Sequence, residues 1–268
     1  MPPPLDTPPL SILAENPPTG FPLQAIAVHI TPDPAPLPEE LQQRLDEQWT
    51  RHLAHARAHG KVLFDAPILC LHHAQILNAS LHLHLIPSTY KRFLITALRD
   101  RDWFLQHNAA HAIHEALGNS ALLTSAHPAP RALLGIRSPR VSAYPNRAHL
   151  LGGALDHFTP DPANPASPAP LIHHLQKELL EETSLTPADL PDPPRLLALV
   201  RDNTLGQPEL IWHWPTTADL DRLAANLHPH EHAAPLLLSR DPLSPAVASL
   251  LTPVAQTAIR LWHSLPPS

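Results

Sequence analysis

The chain has 268 residues, of which 43% are hydrophobic and 16% charged, and a formal net charge of −6. This length and composition suit one large domain, or a core domain with an extension, and exclude global disorder. No Lys or Arg precedes Arg44, which argues against a nucleic-acid footprint and a secretory signal peptide, since both need cations. No apolar run approaches the roughly 20 residues needed to span a bilayer, and Cys70 stands alone, so no internal disulfide is expected. We therefore expect a cytoplasmic protein.

The first half of the chain is predicted to be an arm followed by an α+β extension. Residues 1–22 are rich in proline and are predicted to form a flexible arm, because proline lacks a backbone donor. Residues 23–118 are predicted to be the N-terminal extension. Its apolar pattern favours a strand at 25–30, a helix at 38–59, a hairpin at 67–76 and 80–87, and helices at 88–105 and 108–117.

The second half of the chain, residues 119–268, alternates strands with helices. Strands are predicted at 120–125, 132–137, 147–151, 195–201, 208–214 and 235–239, and helices at 170–183, 217–226 and 244–263. Between them, residues 154–170 hold five prolines, which predict an irregular, mobile rim. Interleaved elements of this kind predict an α/β sandwich with a mixed sheet between helices.

Three glutamates on one predicted helix carry the clearest chemical signal. In LIHHLQKELLEETSL, residues 171–185, the carboxylates of Glu178, Glu181 and Glu182 lie at i, i+3 and i+4, on one face. Like charges at this spacing repel one another, and the C-terminal end of a helix disfavours anions. A divalent cation would turn the arrangement into a set of oxygen ligands. A solvated acidic surface is the alternative that the helix alone leaves open.

Residues 177–185 resemble the second half of the signature of Nudix hydrolases, in which an Arg-Glu pair precedes an aliphatic residue and two further glutamates. Here KELLEETSL has Lys177 for the arginine and Ser184 for the glycine of the signature. Gly153 follows a predicted strand, as the first glycine of the signature does. Its spacing from Glu178 is wider than in the signature, so the Pro-rich loop is an insertion, and the early glutamate of the signature has no counterpart.

The resemblance implies a fold and a catalytic centre. It implies a Nudix-type α/β/α sandwich over 119–268 and hydrolysis of a diphosphate bond with Mg²⁺, or with Mn²⁺ as the alternative. The metal ligands that it implies are Glu178, Glu181 and Glu182. Gly152 and Gly153 would bring backbone close to metal and phosphate. The same resemblance gives Glu181 and Glu182 catalytic roles, and Glu182 and Glu231 are the candidates for accepting the proton of the attacking water.

A narrower resemblance concerns the substrate. The long N-terminal region, the wide gap before the glutamate helix and several segments are similar to the UDP-sugar diphosphatases of the same superfamily. These segments include FDAPILCLHH (64–73), STYKRFL (88–94) and LLALVRDNT (196–204). The resemblance implies cleavage of UDP-glucose or UDP-galactose to UMP and sugar 1-phosphate, with Tyr90 as a candidate substrate contact. Arg201, Asp202 and Asn203, at the end of a predicted strand, are the other candidate contacts. A nucleotide-binding module without catalysis, and an enzyme for ADP-ribose or coenzyme A, remain open alternatives.

The chain contains 21 histidines, which raises the question of a zinc site. His73 and His84 are predicted to face each other across the hairpin, and His228, His230 and His232 form a second cluster. Neither cluster has a cysteine or carboxylate at a recognised zinc spacing. We therefore interpret these side chains as solvent-facing histidines of a His-rich chain.

Overall fold

Two β-sheets and helices of different lengths form the regular structure of the part of the chain that the structure describes. The computed structural model describes residues 8–31, 36–60, 62–125, 129–141 and 143–266. The strands are β1 (Leu10–Glu15), β2 (Ile26–Ile30), β3 (Pro67–Leu77), β4 (Ser80–Thr89), β5 (Gly118–Ser125), β6 (Arg131–Arg137), β7 (Ala148–His149), β8 (Leu151–Ala154), β9 (Arg195–Asp202), β10 (Gln207–Thr216) and β11 (His232–Ser239). The helices are α1 (Glu39–Ala58), α2 (Tyr90–Phe93), α3 (Arg101–Gln106), α4 (Ala169–Thr183), α5 (Leu220–Ala225), α6 (Pro245–Leu250) and α7 (Pro253–Ser264).

The larger sheet is mixed. Its order is β1-β9-β10-β5-β6-β11, with β7 paired to β6 and β8 paired to β5. The β10 and β5 strands run parallel, and the other neighbours run antiparallel. The central strands β5, β9 and β10 contain continuous apolar runs, which is the pattern of strands buried on both faces. The smaller sheet has the order β2-β4-β3.

Helices cover both faces of the larger sheet. On one face, α4 buries Leu171, Leu175 and Leu179, each 0% exposed, and the smaller sheet packs beside it. These leucines recur every four residues and therefore form one stripe of the helix, as predicted for Leu175 and Leu179. On the other face, α7 buries Ile259 and Trp262. The predicted α/β sandwich with a mixed sheet between helices is confirmed.

The prediction of a flexible arm over residues 1–22 was wrong for its second part. The β1 strand pairs antiparallel with β9, and the buried Phe21 exchanges backbone hydrogen bonds with Leu196 at 2.8 and 3.0 Å. The six residues of β1 include no proline, so each can donate to a neighbouring strand. The prolines of this region lie on either side of β1. Residues 1–7 lie outside the described part of the chain.

The prediction of a helix over 108–117 was also wrong. Asn108 has a left-handed φ of 56°, and only a 3₁₀ turn follows, at Ala110–Ala112. Beyond it the chain is extended beside β3, where the backbone oxygen of Glu115 accepts from Leu71 at 3.1 Å. Pairing with a strand distant in sequence therefore overrides the local helical spacing.

Two other predicted helices are divided in the structure. The β4 strand continues to Thr89, so the helix predicted at 88–105 begins late, as α2, and is interrupted by a π-helical segment that ends before Asp100. The helix predicted at 244–263 is divided into α6 and α7 just before Pro253, because proline lacks a donor and clashes with the preceding turn. No helix among the described residues is long and apolar enough to cross a membrane.

The Pro-rich segment between β8 and α4 is irregular, as predicted. Its first residue, Leu155, is buried, and its backbone oxygen accepts from Leu69 at 2.9 Å. Near the other end, the backbone oxygen of Ala166 accepts from Val28 at 3.0 Å. The insertion therefore lies against β2 and β3 of the smaller sheet. Its mobility stays a prediction.

Candidate active site

A cavity of about 250 Å³ lies between α4, the central strands of the larger sheet and α2. The acidic side chains that line it are Glu178, Glu182, Asp202, Glu209 and Glu231. The basic and imidazole groups that line it are Arg137, His149 and His232. Carboxylates crowded into so small a volume repel one another, and a divalent cation would offset that repulsion.

The α4 helix turns two of its three glutamates toward this cavity. Glu182 is 2% exposed, and its carboxylate accepts a hydrogen bond from the backbone N–H of Gly152 at 3.2 Å. Glu178, one turn earlier, lines the cavity beside Gly153. Glu181 is exposed and does not line the cavity, because it is rotated by about 100° from Glu182 around the helix axis.

Two glycines let the backbone of β8 approach these carboxylates. Gly152 has a φ of 133°, and a Cβ there would lie 2.3 Å from the backbone oxygen of Asn119. A Cβ on Gly153 would lie 2.6 Å from Glu178 Oε2. The prediction that Gly153 follows a strand was wrong, because Gly152 and Gly153 both lie within β8 and pair with Ser120 and Asn119 of β5. The close approach of backbone to carboxylate is nevertheless present.

Burial and the charges of neighbouring carboxylates raise the pKa values of both inward-facing carboxylates. Burial raises the pKa of Glu178 to about 7, and the charge of Glu182 adds to the shift. Burial also raises the pKa of Glu182 well above its ordinary value, with the charge of Glu231 next in importance. The hydrogen bond from Gly152 acts in the opposite direction. Near neutral pH these groups therefore either hold protons or need a cation.

Two groups of potential metal donors meet at the glycine pair. The first consists of Glu182, Glu231 and His232, and the second of Asp156, His174 and Glu178. In each group the donor atoms lie within 4.8 Å of one another. Carboxylate oxygens and imidazole nitrogens are both ligands of divalent cations, so these residues fit such an ion. Within the described residues, Glu181 belongs to neither group, although the resemblance implies a ligand role for it.

A hydrogen-bond network behind the glycines fixes α4 on the sheet. The buried side chain of Asn119 accepts from Trp212 Nε1 at 2.7 Å and donates to the backbone oxygen of Leu171 at 2.8 Å. His174 Nε2 lies 3.1 Å from the backbone oxygen of Ala154. The first two turns of α4 are thus tied to β5 and β8, and this fixes the position of the glutamates that follow.

Sequence reasoning missed two cavity residues that face each other, Glu209 and His149. Glu209 is 7% exposed, and its Oε1 lies 3.1 Å from His149 Nε2. Burial acts to raise the pKa of Glu209, but the His149 charge and the Ser120 hydroxyl outweigh it, so the pKa lies below its ordinary value. The signal that could have found the pair is a glutamate in the apolar sequence PELIWHW, since a buried charge needs a partner.

The structure brings two of the four predicted substrate contacts, Tyr90 and Asp202, into the cavity. Tyr90 lines the cavity from α2. Arg201 instead donates to Glu115 at 3.0 Å, and Asn203 donates to the backbone before β1 at 2.8 Å. Side chains alternate along an extended chain, so Asp202, which lies between them, faces the cavity. The expected positions of Arg201 and Asn203 are corrected accordingly.

Comparisons with known proteins give a weak structural likeness. No protein-family model and no curated protein match the chain. The solved structure of DR0079 from Deinococcus radiodurans is 17% identical, with 54% of this chain and 81% of that chain covered and a TM-score of 0.39. An Ap4A hydrolase of C. elegans is 14% identical (55% and 94% covered, TM-score 0.35), and a NUDIX hydrolase of Nitrosomonas europaea is 18% identical (56% and 89% covered, TM-score 0.36). At these TM-scores the likeness carries no argument about function, which rests on the site.

Proposed function

We propose that the chain is a Nudix-type hydrolase that cleaves the diphosphate bond of a nucleoside-diphosphate-linked compound. The observation that carries the proposal is the placement of Glu178 and Glu182 inside a cavity, against the backbone of two glycines. A solvated acidic surface would leave both side chains exposed, whereas Glu182 is 2% exposed. Burial of carboxylates is costly unless they are paired or coordinate a metal. The geometry therefore favours a cation-binding site over an acidic surface.

The proposed cation is Mg²⁺ or Mn²⁺. Glu182, with Glu231 at the exposed rim, would hold one cation, and Glu178, which belongs to the other donor group, would hold a second. When bound, such a cation neutralises the charge of the diphosphate and activates water for attack on phosphorus. We propose that Glu181 acts from outside the donor groups, through the effect of its charge on Glu178. Its contribution should then be smaller than that of a ligand.

The protein must also accept the proton of the attacking water. Glu231 is one candidate, because it lines the cavity and is exposed enough to pass a proton to solvent. Glu182 is the other, because its buried carboxylate lines the cavity, within reach of a water bound there. The bare backbone of Gly152 and Gly153 leaves space for phosphate oxygens beside the carboxylates.

Within this class of reaction, we propose UDP-glucose or UDP-galactose as the substrate, cut to UMP and sugar 1-phosphate. Tyr90 and Phe93 form an aromatic wall of the cavity, with their ring centroids 6.1 Å apart. Aromatic side chains stack on nucleobases, so this wall is suited to the uracil end of the substrate. The wall belongs to the proposed N-terminal extension, residues 23–118, and the glutamates belong to the proposed catalytic domain, residues 119–268. The proposed location is the cytoplasm.

A substrate panel tests the proposal. We would compare kcat/KM at fixed Mg²⁺ for UDP-glucose, UDP-galactose, ADP-ribose, diadenosine polyphosphates and coenzyme A, and identify the phosphate products. The UDP-sugars should lead by about tenfold or more, which corresponds to about 1.4 kcal/mol. A kcat/KM for ADP-ribose or coenzyme A equal to that for the UDP-sugars would contradict the proposed substrate but not the proposed reaction class. Binding without hydrolysis, with Mg²⁺ and with Mn²⁺, would instead indicate a nucleotide-binding module.

A further inference from the structure

His232 contradicts the interpretation of the histidines near the start of β11 as solvent-facing. It is 7% exposed, whereas His228 and His230 are exposed. Neither Nδ1 nor Nε2 of its ring has a hydrogen-bond partner among the described residues. A buried polar group without a partner costs about 1–3 kcal/mol, so packing alone does not account for an imidazole at this position.

A glycine on the neighbouring strand makes room for this ring. A Cβ on Gly135 of β6 would lie 2.0 Å from His232 Nδ1, so a side chain there would displace the imidazole. The register of β11 against β6 shifts just after His232, which is typical of a bulge that redirects a side chain. Nδ1 therefore lies against backbone, while Nε2 lies 3.3 Å from Glu182 Oε2 at the cavity.

Nitrogen and oxygen donors thus converge at one point. A ring nitrogen of His232 lies within 4.8 Å of carboxylate oxygens of both Glu182 and Glu231. A neutral imidazole keeps a free electron pair on one ring nitrogen, which is what coordination of a metal requires. An ion pair with Glu182 is the competing account. It would require a charged ring, and the contact at 3.3 Å lacks hydrogen-bond geometry.

We propose that His232 is a metal ligand through Nε2, together with Glu182 and Glu231, and that this site prefers first-row transition-metal dications to Mg²⁺. The inference rests on the proposed function, since the same cation would serve the diphosphate. Mg²⁺ takes oxygen ligands and keeps several waters, whereas imidazole is a suitable ligand for Fe²⁺, Ni²⁺ and Zn²⁺. Co²⁺ lies between Fe²⁺ and Ni²⁺ in the usual order of affinity for such ligands. One nitrogen donor therefore raises the affinity for transition metals more than the affinity for Mg²⁺.

Pulsed EPR of the full chain loaded with Mn²⁺ tests the ligand directly, because a coordinated imidazole gives nitrogen modulation. We expect this signal in the wild type and in His230→Gln, the matched exposed control, and its loss in His232→Gln. Gly135→Ala keeps the histidine but displaces its ring, so it should also lose the signal. This variant tests the same point if His232→Gln does not fold. Absence of nitrogen modulation in the wild type overturns the proposal. So does a signal that is lost only in His174→Gln, which belongs to the other donor group.

Calorimetric titration with Co²⁺ and with Mg²⁺ tests the preference. The wild type should bind Co²⁺ about 100-fold more tightly than Mg²⁺, and this ratio should fall to about tenfold in His232→Gln. An unchanged ratio overturns the preference.

The same preparations, assayed for diphosphate hydrolysis, separate the two proposals. Hydrolysis without nitrogen modulation would contradict only the proposal that His232 is a ligand. Nitrogen modulation without hydrolysis of any diphosphate would contradict only the proposed function.

Discussion

The last two turns of α4 carry glutamates on both sides of the helix, and the surroundings of the two sides differ. On the inward side, Glu178 and Glu182 line the cavity, and Glu182 accepts the backbone N–H of Gly152. On the outward side, Glu181 is exposed and belongs to neither donor group. The spacing of charges identifies the carboxylates that can share a helix face. The stripe of buried leucines decides which of them meet the sheet, so the two patterns must be considered together.

Glu182→Gln should have the largest effect. It removes a charge from the cavity with little change in volume, and kcat/KM should fall by about a thousandfold, or about 4 kcal/mol. Glu181→Gln should lower kcat/KM by less than about tenfold, because that side chain lies outside the cavity. Initial rates at saturating Mg²⁺ measure both, with circular dichroism as the control for folding. Equal losses would place Glu181 in the ligand set, as the resemblance implies, and would contradict the difference between the inward and outward glutamates.

Gly152→Ala should destabilise the fold by about 3 kcal/mol or more, because its new Cβ would meet rigid backbone. That backbone atom is the oxygen of Asn119, 2.3 Å away, and the φ of 133° adds strain. Gly153→Ala is the matched control. Its Cβ would meet the flexible end of Glu178, so it should cost about 1 kcal/mol or less while weakening metal binding. Urea unfolding in EDTA measures both, and a Gly152→Ala variant as stable as the wild type would refute the close approach.

The metal-free protein should lose stability as the pH rises from about 5 to about 7.5. The pKa of Glu178 is raised to about 7, from an ordinary value of 4.5, so the folded state holds a proton that the unfolded state has already released. The free energy of unfolding should fall across this window by up to about 3 kcal/mol for this group, and Glu182 acts in the same direction.

Urea unfolding in EDTA at several pH values measures this slope. Glu178→Gln should flatten it and raise stability at the upper end, whereas the outward control Glu181→Gln should change it much less, because burial and the charge of Glu182 raise the pKa of Glu178 more than the charge of Glu181 does. A flat wild-type profile, or an unchanged slope in Glu178→Gln, would count against burial of the inward carboxylates.

Lys177→Met should have the smallest effect, because it removes an outward-facing ion pair. Lys177 Nζ lies 2.9 Å from Asp156 Oδ2, but the two side chains are 52% and 53% exposed. Solvent screens such a pair, so the loss should be less than about 1 kcal/mol, and methionine keeps the apolar stem. Thermal unfolding measures it. A loss of stability above about 2 kcal/mol would show that the outward side of α4 matters as much to the protein as the inward side does.

The sequence predicted those parts of the fold that local pattern decides. The apolar runs of β5, β9 and β10 and the leucine stripe of α4 each need only their own residues, and each lies close to its predicted place. The predictions failed where a distant segment decides. The β1 strand exists because β9 pairs with it, and residues 113–117 are extended because β3 lies beside them.

The candidate site divides in the same way. The resemblance led to Glu178 and Glu182, because helical spacing and a signature are visible in one stretch of chain. His232 and Glu209 were missed, since their burial depends on the register of β11 and β10 against other strands. Arg201 was assigned to the cavity although strand alternation turns it toward Glu115. No local pattern fixes which face of a strand meets a cavity until its neighbours are known.

The claim that the inward carboxylates of α4 hold the cation required for diphosphate hydrolysis can be tested by phosphorus NMR of UDP-glucose and ADP-ribose, each incubated with the full chain. The expected result is cleavage with Mg²⁺ or Mn²⁺, none in excess EDTA, recovery when the cation is restored, and almost none with Glu182→Gln. Cleavage that continues in EDTA, or that proceeds at the wild-type rate in Glu182→Gln, would contradict the claim.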